Sequence, residues 1–254
     1  MKELEGKVAL VTGASRGIGA ATAQELARHG VSVVLAARSA LDIEAVAGEI
    51  RKTGGNTEAV ACDVSRYGDV AAAVARCQSA YGRLDILVNN AGVIDPIARL
   101  VDSDPEQWGR VADINYKGVY HGLRAALPLM LTQGSGVVVN ISSGAAIGAL
   151  DGWSHYCSTK AAVLSLTKCA DLEYRDQGIR VVGLSPGTVA TDMQVSIRSS
   201  GINRISQMDP SEHIPADWPA RAIAWLCTED AAEFSGTDFS LKNEEGRRRA
   251  GLIT

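Results

Sequence analysis

Tyr156 and Lys160 stand four residues apart in the stretch Trp153-Ser-His-Tyr-Cys-Ser-Thr-Lys160. On a helix that spacing stacks them on one face. A phenol titrates near ~10, too high to exchange a proton readily at neutral pH. A fixed ammonium beside it favours the phenolate and brings the pair toward the range of general acid–base catalysis. The pair alone is also what an ordinary amphipathic helix face displays, so its meaning depends on its company. Two more sets of residues could do chemistry. The run Thr12-Gly-Ala-Ser-Arg-Gly-Ile-Gly19 is rich in glycine, and Asn115 and the Ser142-Ser143 pair are small polar groups within apolar surroundings.

The elements around these residues are predicted to bring them to one place. Lys7–Thr12 is a short β-prone run, and a helical pattern from Ala20 to His29 follows the glycines. A turn between a strand and a helix N-terminus gathers free N–H groups at the positive end of the helix dipole, which makes an anion site suited to a pyrophosphate. Gly13, Gly17 and Gly19 supply the tight turn and a close backbone approach. The second strand, Val31–Ala36, ends in Ala37 and Arg38 with no carboxylate. An acid at that point would bind a ribose 2′-hydroxyl. Two guanidiniums, Arg16 and Arg38, instead suit a 2′-phosphate, so the spacing favours NADP(H) over NAD(H). Thr57–Ala61 reads as a third strand leading to Asp63 and Val64; Asp63 could accept from an adenine amino group or equally cap the next helix. Leu84–Val88 is a fourth strand ending in Asn89-Asn-Ala-Gly92.

A helix is predicted from Asp104-Pro105 to about Met130, carrying Asn115 inside it. Gly136–Ile141 is a fifth strand delivering Ser142 and Ser143, and Ile179–Leu184 is a sixth. The alternation implies a parallel sheet covered by helices on both faces, with ligands bound at the carboxyl ends of the strands. One rival fits the glycine turn. Gly13-Ala-Ser-Arg-Gly17 also matches the nucleophile elbow of a serine hydrolase, with Ser15 as nucleophile and His213 as a later base.

Composition narrows the field. The 254 residues are 46% hydrophobic and 21% charged with a net charge of −4, which gives no electrostatic case for nucleic acid. No apolar run is long enough to span a bilayer, and Met1–Gly6 lacks the apolar stretch of a signal peptide, so a cytoplasmic protein is expected. The five cysteines show no Cys-x-x-Cys spacing and read as reduced thiols, and the histidines form no metal-ligand pattern.

Thr12-Gly-x-x-x-Gly-x-Gly19, Asn89-Asn-Ala-Gly92, Asn115, Ser143, Tyr156-x-x-x-Lys160 and Ser185-Pro-Gly-Thr188, taken in order, resemble the classical short-chain dehydrogenase/reductases. The resemblance runs from Lys7 to about Thr191. It implies one Rossmann-type, doubly wound domain over residues 1–254 with a seven-stranded parallel sheet, a homodimer or homotetramer through the two long helices, and a small carbonyl or alcohol substrate. Carried onto this chain, it makes Asn115, Ser143, Tyr156 and Lys160 a catalytic tetrad, with Ser143 preferred over Ser142 by its distance from the tyrosine. It implies a nicotinamide cofactor held by Gly13, Ser15, Arg16, Gly17, Ile18, Gly19 and Arg38 on one side. Asp63, Val64, Asn89, Ala91 and Gly92 complete that side, and Tyr156, Lys160, Pro186, Gly187, Val189 and Thr191 hold the nicotinamide half. Three other readings are an NAD(H)-linked alcohol dehydrogenase working oxidatively, a catalytically silent nucleotide-binding regulator on the same fold, and the hydrolase.

The last third departs from the pattern. Residues 192–215 read as a long loop, which the resemblance makes a lid over the substrate, with Met193, Ile197, Ile202, Ile205 and Met208 giving it an apolar side and Arg198 and Arg204 able to meet an anion. Trp153 could line the pocket, and His155 reads equally as a surface residue or a substrate contact. Asp217–Cys227 is a predicted helix and Ser235–Leu241 a last strand, where the resemblance would have a valine-rich strand and an Asp-Gly-Gly turn. The run Arg247-Arg-Arg249 reads as a solvated tail or a subunit contact.

Overall fold

A computed structural model describes residues 1–254. Strands and helices alternate from the start. In chain order, β1 (Val8–Thr12), α1 (Gly17–Arg28), β2 (Ser32–Ala37), α2 (Ala40–Lys52), β3 (Thr57–Ala61), α3 (Tyr67–Tyr81) and β4 (Ile86–Asn89) make the first half. Then come α4 (Pro105–Ala112), α5 (Gly118–Gln133), β5 (Gly136–Ile141), α6 (Ser154–Tyr174), β6 (Ile179–Ser185), α7 (Asp192–Ser200), α8 (Asp217–Leu226), β7 (Asp238–Ser240) and α9 (Glu244–Arg249). The seven strands form one parallel sheet in the order β3-β2-β1-β4-β5-β6-β7. The order reverses between β1 and β4, and it is beside such a switch point that a doubly wound sheet opens a crevice at its strand ends.

Each central strand is buried on both faces, so its residues read as an unbroken apolar run rather than an alternation. The alternation survives in what each side chain meets. Ala9 and Val11 of β1 pack with α1, α2 and α8, whereas Val8 and Leu10 face the opposite layer with α3, α5 and α6. No helix is long and apolar enough to cross a membrane.

Three elements differ from the sequence reading. The long helix expected from 104 to 130 is interrupted by a π turn over Asp113–Lys117 that contains Asn115. A π turn widens the helix and re-aims a side chain, and such bulges cluster at functional sites. Residues 192–215 are not a loop throughout: α7 opens the segment, with Met193 and Ile197 one turn apart on its inner side. That helix is too short for a periodic signal of its own. The two ends of the segment are clamped by a bridge between Val189 and Ile214, in which Ile214 N donates to Thr188 O and Ala190 N to Ile214 O.

The arginine run is the third difference, in that it is helical and not a tail, although Arg248 and Arg249 are exposed to solvent as expected. It forms α9 and folds back on its own chain: Arg247 lies 5.4 Å over the Trp218 ring and donates to Leu241 O, and Arg249 lies 5.1 Å over Phe234 and pairs with Glu233. Arg248 pairs with Glu244 within the helix. Cation–π contacts of this kind cannot be read from a charge run, because the aromatic partners are distant in sequence.

Close approach of α5 to the sheet depends on Gly122. A Cβ there would fall 2.2 Å from the Asn89 side-chain oxygen, and Asn89 is itself tied to Asn140 by a 2.9 Å hydrogen bond. Gly122→Ala is expected to destabilise the protein by about 1–3 kcal/mol through overpacking. Urea denaturation would show a lower midpoint with an unchanged slope.

Candidate active site

β5 runs out at Ile141 and hands the chain to two serines with opposite orientations. Ser142 keeps pairing, donating its N–H to Leu184 O, and its hydroxyl is buried without a partner. Ser143 turns toward the open side, where its hydroxyl accepts from Ala145 N at 3.2 Å and lies near enough to the Tyr156 phenol to favour its ionised form. α6 then begins at Ser154 and carries Tyr156 in its first turn and Lys160 in its second. Both side chains are buried, Tyr156 at 8% and Lys160 at 4% exposure. The Lys160 ammonium donates to Ile141 O at 2.6 Å and sits 5.6 Å from the Tyr156 ring centroid. Trp153 closes the other flank, edge-on to Tyr156 at 5.6 Å, and joins Ile94, Ala145 and Ile197 in an apolar wall.

Burial sets the electrostatics. It pushes the Tyr156 phenol up to about 12, with the Ser143 hydroxyl pulling the other way and Cys157 adding to the rise. It pulls the Lys160 ammonium down to about 8, with the Asp238 carboxylate opposing. The expected lowering of the tyrosine by its lysine is therefore not found in the ligand-free protein. Desolvation dominates both groups, and it disfavours the charged form of each. A lysine that loses its proton near 8 is neutral in the range where the phenol ionises, so it offers no cation to help it.

Asn115 sits behind this pair, fully buried. Its side chain bridges the Val93 backbone, accepting from N and donating to O at 2.8 Å each, and its amide reaches Thr159 Oγ1 at 3.5 Å. It holds the loop after β4 against α6. Gly92 lies against both groups: a Cβ there would make van der Waals contact with Asn115 Oδ1 at 3.4 Å and Lys160 Nζ at 3.9 Å.

A cleft of about 2080 Å³ runs along the carboxyl ends of the strands. It is lined by Gly13, Ser15, Arg16, Gly17 and Ile18, by Arg38, Asp63, Val64, Ala91 and Gly92, and by Ser143, Tyr156, Lys160, Pro186, Gly187, Val189 and Thr191. Three sequence candidates lie behind its wall. Gly19 packs the helix onto the turn, where a Cβ would fall 2.3 Å from Gly13 O. Asn89 faces the helix layer and donates to Asn140. Asn115 reaches the cleft only through Val93 and its neighbourhood with Lys160. Asp63 caps no helix: its carboxylate accepts from Ser65 N and Oγ at 3.0 and 2.7 Å, and Arg66 stands at the start of α3. His155 is neither on the surface nor in the pocket but buried, with Nε2 2.6 Å from Ile94 O.

The hydrolase geometry is not assembled. Every residue with positive φ is a glycine, so Ser15 lacks the strained backbone of a nucleophile elbow. His213 Nε2 is buried without any partner. No three metal-ligating side chains gather anywhere.

The family model described as short chain dehydrogenase matches residues 7–201. The chain belongs to that family. It is 32% identical over 236 residues to a cyclohexanol dehydrogenase of Acinetobacter sp. (strain SE19), covering 92% of each chain. It is 35% identical over 243 residues to a 3-oxoacyl-[acyl-carrier-protein] reductase of Synechocystis sp. (strain ATCC 27184 / PCC 6803 / Kazusa), covering 95% of this chain and 97% of that one. Among solved structures, an NAD+-bound xylitol dehydrogenase superposes with a TM-score of 0.88 at 27% identity, covering 94% of this chain and 99% of its own. A levodione reductase superposes equally well, with a TM-score of 0.88 at 29% identity and coverages of 97% and 98%.

Short-chain dehydrogenases are oxidoreductases that use a nicotinamide cofactor, and the residues present fit one. Arg16 stands before α1 without capping it by its side chain, which leaves the first N–H groups of a 12-residue helix open to a pyrophosphate. Gly13 has φ +63° and backs onto Ala91, where a Cβ would fall 2.8 Å from the Ala91 Cα, so the turn can lie flat against the floor of the cleft. Lys160 has spent one of its three donors, and two remain for hydroxyl groups.

The lowered lysine has a consequence for stability. The unfolded chain holds that proton up to the ordinary value of 10.5, whereas the folded protein releases it near 8. The stability that Lys160 contributes to the ligand-free protein should therefore rise between about pH 8 and pH 10, read as the difference in urea midpoint between the unmodified protein and Lys160→Met. The raised phenol and the buried thiols of Cys62, Cys77 and Cys227, which burial pushes up to about 12, work in the opposite sense above their ordinary values of 10 and 9, but they are common to both proteins and cancel in the comparison.

Proposed function

We propose that the protein is an NADP(H)-dependent reductase of carbonyl compounds, able to run backwards on the secondary alcohol, with Asn115, Ser143, Tyr156 and Lys160 as its working residues. The observation that carries this reading is the neighbourhood of the Ser143 and Tyr156 hydroxyls at an apolar wall, with a half-satisfied ammonium behind them. The cofactor, when bound, supplies or takes the hydride. Ser143 and Tyr156 both donate to the substrate oxygen, and together they stabilise the charge that develops there. Tyr156 gives that oxygen its proton in reduction and removes it in oxidation. Its high proton affinity at rest keeps it in the acid form that reduction needs. Lys160 holds ribose hydroxyls with its two spare donors, and its charge eases the phenol's loss of the proton. Asn115 fixes the backbone at Val93 that forms the floor beside the lysine. The clamped segment 190–214 acts as the substrate lid, with Met193, Ile197 and Ile205 turned toward Tyr156. A homodimer or homotetramer formed through α5 and α6 is supported by Tyr116 in the π turn and Tyr120 in the first turn of α5, both exposed, and by Leu172, exposed on α6.

NADP(H) is favoured by the uncharged end of β2, where Ala37 is followed by Arg38 on the cleft wall. One observation favours NAD(H) instead: Arg16 pairs with Asp192 at 3.1 Å across the cleft mouth, so a 2′-phosphate has to compete for it. Both partners are mostly exposed, and an exposed pair of this kind is worth only about 0–1 kcal/mol, which a dianionic phosphate outbids.

Fluorescence titration with NADPH and NADH, followed by NADPH consumption over a panel of ketones, tests the reading. Tighter NADPH binding is expected, weakened about 10- to 100-fold in Arg38→Leu, the loss of a charged hydrogen bond. Tyr156→Phe should lower kcat by about 10²- to 10⁴-fold. Equal or tighter NADH binding by the unmodified protein would favour the second reading.

A further inference from the structure

A carboxylate stands beneath the lysine, on a strand that the site described so far does not use. Asp238 lies in β7 directly beside Gly183 of β6, which lies beside Asn140 of β5. Residues level with one another in a parallel sheet share a face, and Asn140 shows which face this is by donating to Thr167 Oγ1 of α6 at 2.9 Å. Asp238 therefore faces α6, the helix that carries Tyr156 and Lys160. Gly183 makes room for it, since a Cβ there would fall 2.8 Å from Asp238 Oδ1.

The carboxylate is held at one oxygen only. Ser185 Oγ donates to Oδ2 at 2.7 Å, while Oδ1 is buried without a partner. The Ser142 hydroxyl is likewise buried and unpaired, and Lys160 has two unspent donors. Ser142, Lys160, Ser185 and Asp238 all line the floor of the one cleft. Most buried carboxylates have both oxygens satisfied, because each orphaned polar atom costs about 1–3 kcal/mol. The charged groups facing Asp238 are Lys160 and Lys168, both from α6. Asp238 is the charged group that acts on Lys160. Burial raises the Asp238 carboxyl; the Ser185 hydrogen bond opposes that rise, as do the Ser142 hydroxyl, which is near the carboxylate without a formed hydrogen bond, and the two lysines.

We infer that Asp238 is a positioning residue for the reaction: held by Ser185, its carboxylate serves with the Ser142 hydroxyl as the counter-charge that keeps the buried Lys160 ammonium charged for Tyr156. The inference rests on the reading of Tyr156 and Lys160 as the proton-handling pair. Desolvation alone drives this lysine toward neutrality, and a neutral lysine cannot favour the phenolate. The strand on the far side of β6 therefore sets the pH range over which the pair works.

Asp238→Asn keeps the shape of the side chain and the acceptor for Ser185 while removing the charge. In ligand-free protein carrying ¹³Cε-lysine, the Lys160 resonance, identified by its absence in Lys160→Met, should titrate at lower pH in Asp238→Asn than in the unmodified protein. The alkaline limb of kcat for ketone reduction should move the same way, with about a tenfold loss above the limb for each unit moved. Asp238→Glu should return both toward the unmodified values. An unmoved lysine titration overturns the inference, even if the variant melts at a lower temperature, since that is all a structural aspartate would do. If Asp238→Asn does not fold, Asp238→Ser, which also removes the charge, is read by the same titration, with the same expected direction and the same contrary result. Full turnover by Tyr156→Phe would instead defeat the proposed function and leave the lysine titration as an independent result.

Discussion

The ammonium of Lys160 is buried with one carbonyl to hold it, and the site is built around that incompletely satisfied charge. Its partner, Ile141 O, lies at the last residue of β5, so the end of the central strand sets the depth of the lysine. α6 must cross the sheet at the height where its second turn meets that carbonyl. Thr167, two turns further along, fixes this height by accepting from Asn140, which also accepts from Asn89. A row of side-chain hydrogen bonds inside an apolar layer is costly where a member is left unpaired, as Asn89 Oδ1 is. Here it ties β4, β5 and α6 into one unit beneath the cleft.

Two groups with opposed tendencies share that unit. Burial keeps the phenol protonated and drives the ammonium toward neutrality. The ligand-free protein is consequently poised as an acid whose cationic helper is close to losing its charge. Whatever supplies negative or polar partners to Lys160 changes what Tyr156 can do. Within the chain that is Asp238; in the proposed reaction the ribose hydroxyls add to it. Coupling of this kind makes the two titrations a property of the pair rather than of either residue.

Much of the architecture was legible because both faces of the sheet are covered. A strand buried on both sides is an uninterrupted apolar run, and its end is marked by the small residues that follow, as at Gly13, Gly92 and Ser143. The Tyr156–Lys160 spacing and the glycine turn were readable for the same local reason. What failed was anything set by facing or by depth. Asn89 and Gly19 sit at the expected ends but turn away from the cleft, a choice that depends on which helix lies behind them. His155 bonds a loop 61 residues earlier in the chain. Asp238 is one acid in a short strand, and only the register with Gly183 reveals its neighbours. The direction of the Tyr156 shift was misjudged because spacing shows a lysine nearby but not how dry the pair is.

The central claim is that Tyr156 is the proton donor and that its phenol is released from its resting state only when the cofactor completes the lysine's surroundings. A ¹³Cζ-tyrosine titration measures this directly, with the Tyr156 signal identified by its absence in Tyr156→Phe. The account predicts a phenol that titrates near 12 in the ligand-free protein and at clearly lower pH with NADP⁺ bound. A phenol already ionising below its ordinary value of 10 without ligand, or one that the cofactor leaves unmoved, would contradict it.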